Sequence, residues 1–220
     1  MIEAVIFDMD GVIIDSEPIH MKSDLMLLKE FGIEAEDGVL NRYVGIADME
    51  MWEDLRERFN IGVSVDDIMV KSIINKKRLF TSIELQPVKG IRELLHELKG
   101  KKLGIGLASS SPVEIIQLIL QRLEIREYFD VIVSGQQVER SKPDPEIFIK
   151  AAGLLGKRPE NCIVVEDSEH GVKAAKRAGM KCIGFISPGS GSQDLSEADI
   201  IASSMEDVKN IVLGNKLEIA

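Results

Sequence analysis

The sequence predicts an α/β fold: a parallel sheet with helices on both faces and an α-helical segment inserted after the first strand. Three observations predict it. The run Ala4-Val5-Ile6-Phe7 is apolar without alternation, the pattern of a strand buried on both faces. From residue 101 onward, short apolar runs alternate with stretches of helical spacing, which implies strand–helix–strand units. Between these regions, residues 19–100 carry helical spacing and no convincing strand.

Taken in order, the first strand breaks into Asp8-Met9-Asp10-Gly11. Residues two apart on an extended chain share a face, so both carboxylates converge if the chain stays extended. Like charges that close repel unless something positive is shared. An acidic turn is the competing reading, because Asp and Gly are ordinary turn formers. Asp15, Ser16 and Pro18 then carry strand-exit and helix-start signals. Helices are expected over 19–31, with Leu25, Leu28 and Phe31 in register before Gly32, and over 50–59 and 66–80. Pro87 and Gly90 mark a linker before a helix over 91–98. The expected division is therefore a helical unit over 15–85 and a sheet-bearing core over 1–14 and 86–220. In the core, strands are expected over 102–108, 131–134, 162–165, 181–186 and 200–202. Helices should lie between them over 112–122, 145–155 and 169–178, the last two closed by Gly156 and Gly179.

A net charge of −10 and a pI near 4.9 oppose broad attraction to nucleic acid or to an anionic membrane. A local cluster of metal and lysine can still outweigh that distant field, so a small phosphorylated metabolite is not opposed. No apolar stretch is long enough to span a bilayer and the N-terminus reads directly into a strand, so no membrane partner and a cytoplasmic location are expected. The two cysteines, Cys162 and Cys182, sit in apolar runs and read as core residues of a reducing compartment.

Polar clusters follow three of the later strands. In Ser109-Ser110-Ser111-Pro112-Val113-Glu114, Ser111 matches a helix cap with its capping-box glutamate. Ser109 and Ser110 are left as a polar turn or as phosphate ligands at a helix N-terminus. Lys142 stands in Ser141-Lys142-Pro143-Asp144-Pro145, stiffened by its prolines, with Asp144 placed to cap the next helix. Glu166 and Asp167 are hard-oxygen ligand candidates of the magnesium type, with helix capping the alternative for Asp167 and the expectation for Ser168.

Together the four clusters resemble the motifs of the haloacid dehalogenase-like phosphohydrolases and mutases: Asp8-Met9-Asp10-Gly11-Val12 the first, Ser109 the second, Lys142 the third and Glu166-Asp167 the fourth. The resemblance covers nearly the whole chain and implies a Rossmann-like core with a small α-helical cap. Asp15-Ser16-Glu17-Pro18-Ile19-His20 and the Lys142 segment look most like β-phosphoglucomutases and related sugar-phosphate phosphatases. The resemblance implies Asp8 as nucleophile and Asp10 as general acid and base. It implies Mg²⁺ held by Asp8, the Asp10 carbonyl and Asp167 with Glu166 close by, and Ser109, the Ser110 amide and Lys142 on the phosphate oxygens. His20 near the hinge and Gly45 in a cap turn are implied substrate contacts; His96 is expected at the surface, and His170, three residues after the acidic motif, fits the surface as readily as the site.

The expected function is a Mg²⁺-dependent phosphohydrolase that acts on a small phosphate monoester, a sugar phosphate, through an aspartyl-phosphate, as a monomer. The alternatives are a phosphosugar mutase of the β-phosphoglucomutase type and a non-catalytic regulatory protein of the same fold. Asp10 separates the chain from the dehalogenases of this fold, which lack its counterpart. No Schiff-base lysine of the phosphonatase type stands out among Lys71, Lys76 and Lys77. Mutases of this group hold a second phosphate with a cap arginine after a glycine turn; here the turn reads Tyr43-Val44-Gly45-Ile46-Ala47-Asp48. The aspartate should repel that phosphate, unless Arg42 or the Lys76-Lys77-Arg78 cluster substitutes. Residues 15–84 hold 15 acidic and 9 basic residues, a further argument against polyanionic substrates.

Overall fold

The computed structural model describes residues 1–36, 38–44, 46–187, 189 and 191–214. Six parallel strands form one sheet in the order β3-β2-β1-β4-β5-β6. They are β1 Ala4–Phe7, β2 Gly104–Ser109, β3 Val131–Ser134, β4 Cys162–Glu166, β5 Lys181–Phe185 and β6 Ile200–Ala202. Among the described residues the α-helices are α1 Glu17–Glu30, α2 Asp48–Arg58, α3 Val65–Ser82, α4 Ile91–Gly100, α5 Val113–Arg122, α6 Glu146–Leu154, α7 Glu169–Arg177 and α8 Met205–Leu213.

Side chains of β1 alternate between two cores, as strand geometry requires. Val5 and Phe7 join one apolar cluster with residues of α4, α5 and α8; Ala4 and Ile6 join another with residues of α6 and α7. Both faces of the strand are thus covered, which explains why its sequence does not alternate. Burying a side chain such as Phe7 contributes about 1.5–3 kcal/mol. Cys162 and Cys182 are buried, and burial pushes the Cys162 thiol up to about 11, so neither is poised for thiol chemistry.

The strand order reverses direction at β1. Successive strands run outward from β1 to β3 on one side and from β4 to β6 on the other, which leaves a crevice beyond the carboxyl ends of β1 and β4. Gly11, at φ 80°, takes the left-handed conformation in the turn after β1, where the Met9 carbonyl accepts from the amides of Val12, Ile13 and Ile14. The chain leaves the sheet at Ile14 and returns at Pro87. An isolated antiparallel bridge and a 2.8 Å bond from the Val88 amide to the Ile13 carbonyl join the two crossings.

Helices α1, α2 and α3 lie between these crossings around an apolar cluster of their own, which includes Leu27, Leu28, Trp52, Leu55 and Ile68. Leu25, expected on the inner face of the first helix, is 43 % exposed; Leu27 and Leu28 fill that face instead. Helix α8 lies beyond the expected elements, and its Met205, Val208, Ile211 and Val212 complete the core against α4. No described helix is long and apolar enough to cross a membrane.

Candidate active site

A cleft of about 130 Å³ opens over the β1/β4 crevice, between the sheet edge and helices α1 and α2. Asp8 follows β1 directly. Its amide still bonds to the Val165 carbonyl at 3.0 Å, so the sheet ladder itself sets its position. Lys142 Nζ donates to Asp8 Oδ1 and to Glu166 Oε1, each at 2.6 Å, and to the Ala108 carbonyl at 3.3 Å. The lysine stem also passes the Phe148 ring, with Nζ 4.9 Å from its centroid. The other Glu166 oxygen accepts from the Ser168 amide at 2.8 Å and its hydroxyl at 2.9 Å. Ser168 caps α7 as expected, accepting from the Gly171 amide at 3.1 Å. A Cβ on residue Gly171 would lie 1.8 Å from Glu166 Oε1, so any larger side chain there would push the Glu166 carboxylate off Lys142 and Ser168.

Burial pushes the Asp8 carboxyl up to about 8; Glu166 and Asp10 act in the same direction and Lys142 offsets only part. For Lys142, burial disfavours the charge, but Asp8 and Glu166 outweigh it and raise the pKa. Asp8, Asp10, Glu166 and Asp167 all line the cleft, so four acids face one lysine and one histidine at the sheet edge. That donor set is oxygen-rich and short of positive charge, which fits magnesium, an ion that takes one or two carboxylates and completes its shell with water and phosphate. Among the described residues no three His, Cys, Asp or Glu side chains are already gathered as a closed metal cage.

Asp10 is held differently. Its Oδ1 accepts from Ser16 Oγ at 2.5 Å and pairs with His20 Nε2 at 3.0 Å, while Oδ2 accepts from Ser111 Oγ at 3.0 Å and Ser109 Oγ at 3.3 Å. Burial alone would raise its pKa, but His20 and the hydroxyls hold it well below the usual carboxylate range. Burial and Lys76 oppose protonation of His20, yet its bond to Asp10 and the nearby carboxylates leave its pKa raised. An edge contact with the Phe80 ring orients the imidazole.

The structure corrects the reading of Ser111. It is not the cap of α5, which begins after Pro112 without a side-chain cap bond; its hydroxyl is turned onto Asp10. Ser16 precedes α1 and likewise leaves its cap position unused in favour of Asp10. A serine one or two residues ahead of a proline reads as a cap in sequence, and only the return of the chain to Asp10 redirects it. Ser109 is fully buried, accepting from the Ser111 amide at 3.0 Å, whereas Ser110 lines the cleft. Gly45 lies outside the described residues. His96 is exposed and His170 half-buried, both away from the cleft.

Asp48 stands beside a cation. It is not an isolated negative charge, because Lys76 Nζ pairs with it at 2.5 Å. Nor is Lys76 open to a phosphate: it is 1 % exposed and committed to that carboxylate. Arg42, Lys77 and Arg78 are exposed and do not line the cleft. Gln193 ties the two sides of the cleft together, accepting from the Glu169 amide at 3.0 Å and donating to the Val44 carbonyl at 3.3 Å.

Comparison with known proteins agrees with this arrangement. Residues 5–185 match the family model described as haloacid dehalogenase-like hydrolase. A phosphorylated carbohydrates phosphatase of Thermotoga maritima is 35 % identical over 96 % of this chain and 98 % of its own. A beta-phosphoglucomutase of Bacillus subtilis is 33 % identical over 94 % and 91 %. The crystal structure of a beta-phosphoglucomutase from Clostridium difficile superposes with a TM-score of 0.85, at 29 % identity, over 99 % of this chain and 98 % of that one. With its sheet order, its acids at the ends of β1 and β4 and a match across most of its length, this chain belongs to the haloacid dehalogenase-like hydrolases.

Proposed function

We propose that the protein is a Mg²⁺-dependent phosphatase of small phosphate monoesters, sugar phosphates foremost, that works through an aspartyl-phosphate on Asp8. The observation that carries the reading is the pairing of Asp8 with Lys142 at 2.6 Å at the sheet edge, two residues before an acid held by four side-chain partners.

In the first step Asp8 attacks phosphorus and the bond from phosphorus to the leaving-group oxygen breaks. Asp10 delivers a proton to that oxygen. In the second step water attacks phosphorus, gives its proton to Asp10, and the bond to Asp8 breaks. Lys142 and the Ser109–Ser110 turn take up charge on the non-bridging oxygens. Asp8, the Asp10 carbonyl and Asp167, with Glu166 beside them, would hold Mg²⁺, which supplies charge neutralisation and phosphate orientation. Delivery of a proton requires Asp10 to leave its present ionised network. The hydrogen bonds from Ser16 and His20, both in the segment around the start of α1, link that release to movement of the helical unit over 15–85 against the core of 1–14 and 86–220. This unit is proposed to act as a cap that admits substrate and then excludes water.

The mutase alternative has weaker support. A mutase must hold a second phosphate by a cation, and the cap cations are either locked to Asp48 or outside the cleft. Phosphate release from a panel of sugar phosphates, with and without Mg²⁺, tests the proposal; undiminished turnover in excess chelator removes the metal. Rapid conversion of β-glucose 1-phosphate to glucose 6-phosphate, primed by the 1,6-bisphosphate and without free phosphate, would decide for a mutase.

A further inference from the structure

The wall of the cleft facing the sheet edge is acidic. Glu17 and Asp24 reach it from α1, Asp15 from the segment before that helix and Asp48 from the start of α2. One of them is unlike the others. Asp24 is 4 % exposed, yet its Oδ1 has no hydrogen-bond partner. The buried cation in this wall, Lys76, attracts Asp24 through space but gives its hydrogen bond to Asp48. A buried carboxylate oxygen left without a donor is costly, and native structures keep such atoms rarely.

A second orphan lies on the same helix face. His20 stands one turn before Asp24, and its Nδ1 is also buried without a partner while Nε2 bonds to Asp10. Positions four apart on a helix are neighbours, and both residues line the cleft, so the two unsatisfied atoms belong to one stretch of its wall. A hydroxyl satisfies both, because it donates to a carboxylate and either donates to or accepts from an imidazole nitrogen. A second phosphate, once ionised, brings no donor for Asp24 and meets Asp15, Glu17 and Asp24 as like charges, while the cation of this wall, Lys76, is paired with Asp48.

We propose that Asp24 selects the leaving group: its free oxygen receives a hydroxyl of an uncharged, polyhydroxylated leaving group, so that phosphate monoesters of neutral polyols and sugars are preferred over esters that carry no hydroxyl or a second anionic group. The inference rests on the phosphatase reading and narrows it to a substrate class. Asp24 is a specificity residue here, since it touches the leaving group away from the reacting phosphorus.

The test compares kcat/KM for a hexitol 6-phosphate, n-hexyl phosphate and a hexitol 1,6-bisphosphate, all with Mg²⁺. The wild type should favour the hexitol monoester over each of the others by about tenfold or more, the worth of one charge-assisted hydrogen bond. Asp24→Leu removes the acceptor and should lower the hexitol-to-hexyl ratio by about tenfold, whereas Asp24→Asn keeps a weaker acceptor and should lower it about threefold. Thermal melting of both variants checks that they fold, and the wild-type comparison needs no variant. A wild type that hydrolyses all three esters alike, or variants that keep the ratio within about twofold, overturns this inference and leaves the phosphatase intact. Preference for a hexosamine phosphate over the hexitol ester by tenfold or more overturns the neutral class in favour of a cationic one. Absence of phosphate release from every ester overturns the phosphatase reading and this inference with it.

Discussion

Asp8 and Glu166 meet because β1 and β4 are hydrogen-bonded neighbours, Phe7 lying opposite Val165. Asp24, Asp48 and Lys76 meet because three helices pack around Trp52 and Leu55. At the sheet edge, backbone bonds fix each acid's position before any side chain is considered. In the helical wall, position depends on side-chain packing and on one buried ion pair. A site built the first way tolerates change in its surroundings but not in its residues, whereas a site built the second way can alter its preference through single substitutions while the chemistry beneath it persists.

The largest effect expected on the sheet-edge side is that of Asp8→Asn. Phosphatase activity should fall by about 10³-fold or more, because an amide is a poor nucleophile. The Tm in Mg²⁺ should show the fold intact; retained turnover would move the nucleophile elsewhere. The matching disruption of the helical wall is Lys76→Met, which leaves Asp48 without its cation. Removing one partner of a buried pair costs about 3–5 kcal/mol, and the half-open setting of Asp48 places this pair at about 2–3. Denaturant unfolding should record that loss, and a Lys76→Met/Asp48→Asn double variant should recover part of it. Equal losses in the single and double variants would mean that the pair does not organise the wall.

A third difference is in pH dependence. Burial holds the Asp8 carboxyl up to about 8, above its unfolded value of about 3.9. Its contribution to stability is therefore full below about pH 4 and is lost as pH rises through about 8. In excess chelator, Asp8→Asn should raise Tm relative to wild type by more near pH 8 than near pH 5; a pH-independent difference would show that the charge deficit at the sheet edge is already met within the protein. The smallest effect is expected at the seam between the two regions. Gln193→Ala removes one bond to each side and should raise KM about two- to threefold with Tm nearly unchanged, since an exchanged neutral hydrogen bond is worth about 0.5–1.5 kcal/mol. A large fall in kcat would make Gln193 part of the chemistry.

Much of the core was legible because its signals are local. Unalternating apolar runs marked the strands, and β3 and β6 match the expected spans residue for residue. Helix α8 had a signal too, a serine cap at Ser204 followed by Met205, Val208, Ile211 and Val212 at helical spacing, but its short apolar stripe follows the weakest strand. Leu25 fitted the helical period and still faces solvent, because Leu27 and Leu28 offer the same helix a better inner face.

By itself the sequence determined the α/β class, the parallel sheet and the four polar clusters at its carboxyl edge, because period, buried strands and turn chemistry are properties of neighbouring residues. Tertiary structure alone decided where hydroxyls and charges find partners. Ser16 and Ser111 became donors to Asp10 instead of helix caps, Lys76 paired with Asp48, and Asp24 was buried with one oxygen lacking a hydrogen-bond donor. Each of these outcomes depends on groups that the chain brings together from distant positions, and a side chain's partner is set by distance in space, which no local pattern encodes.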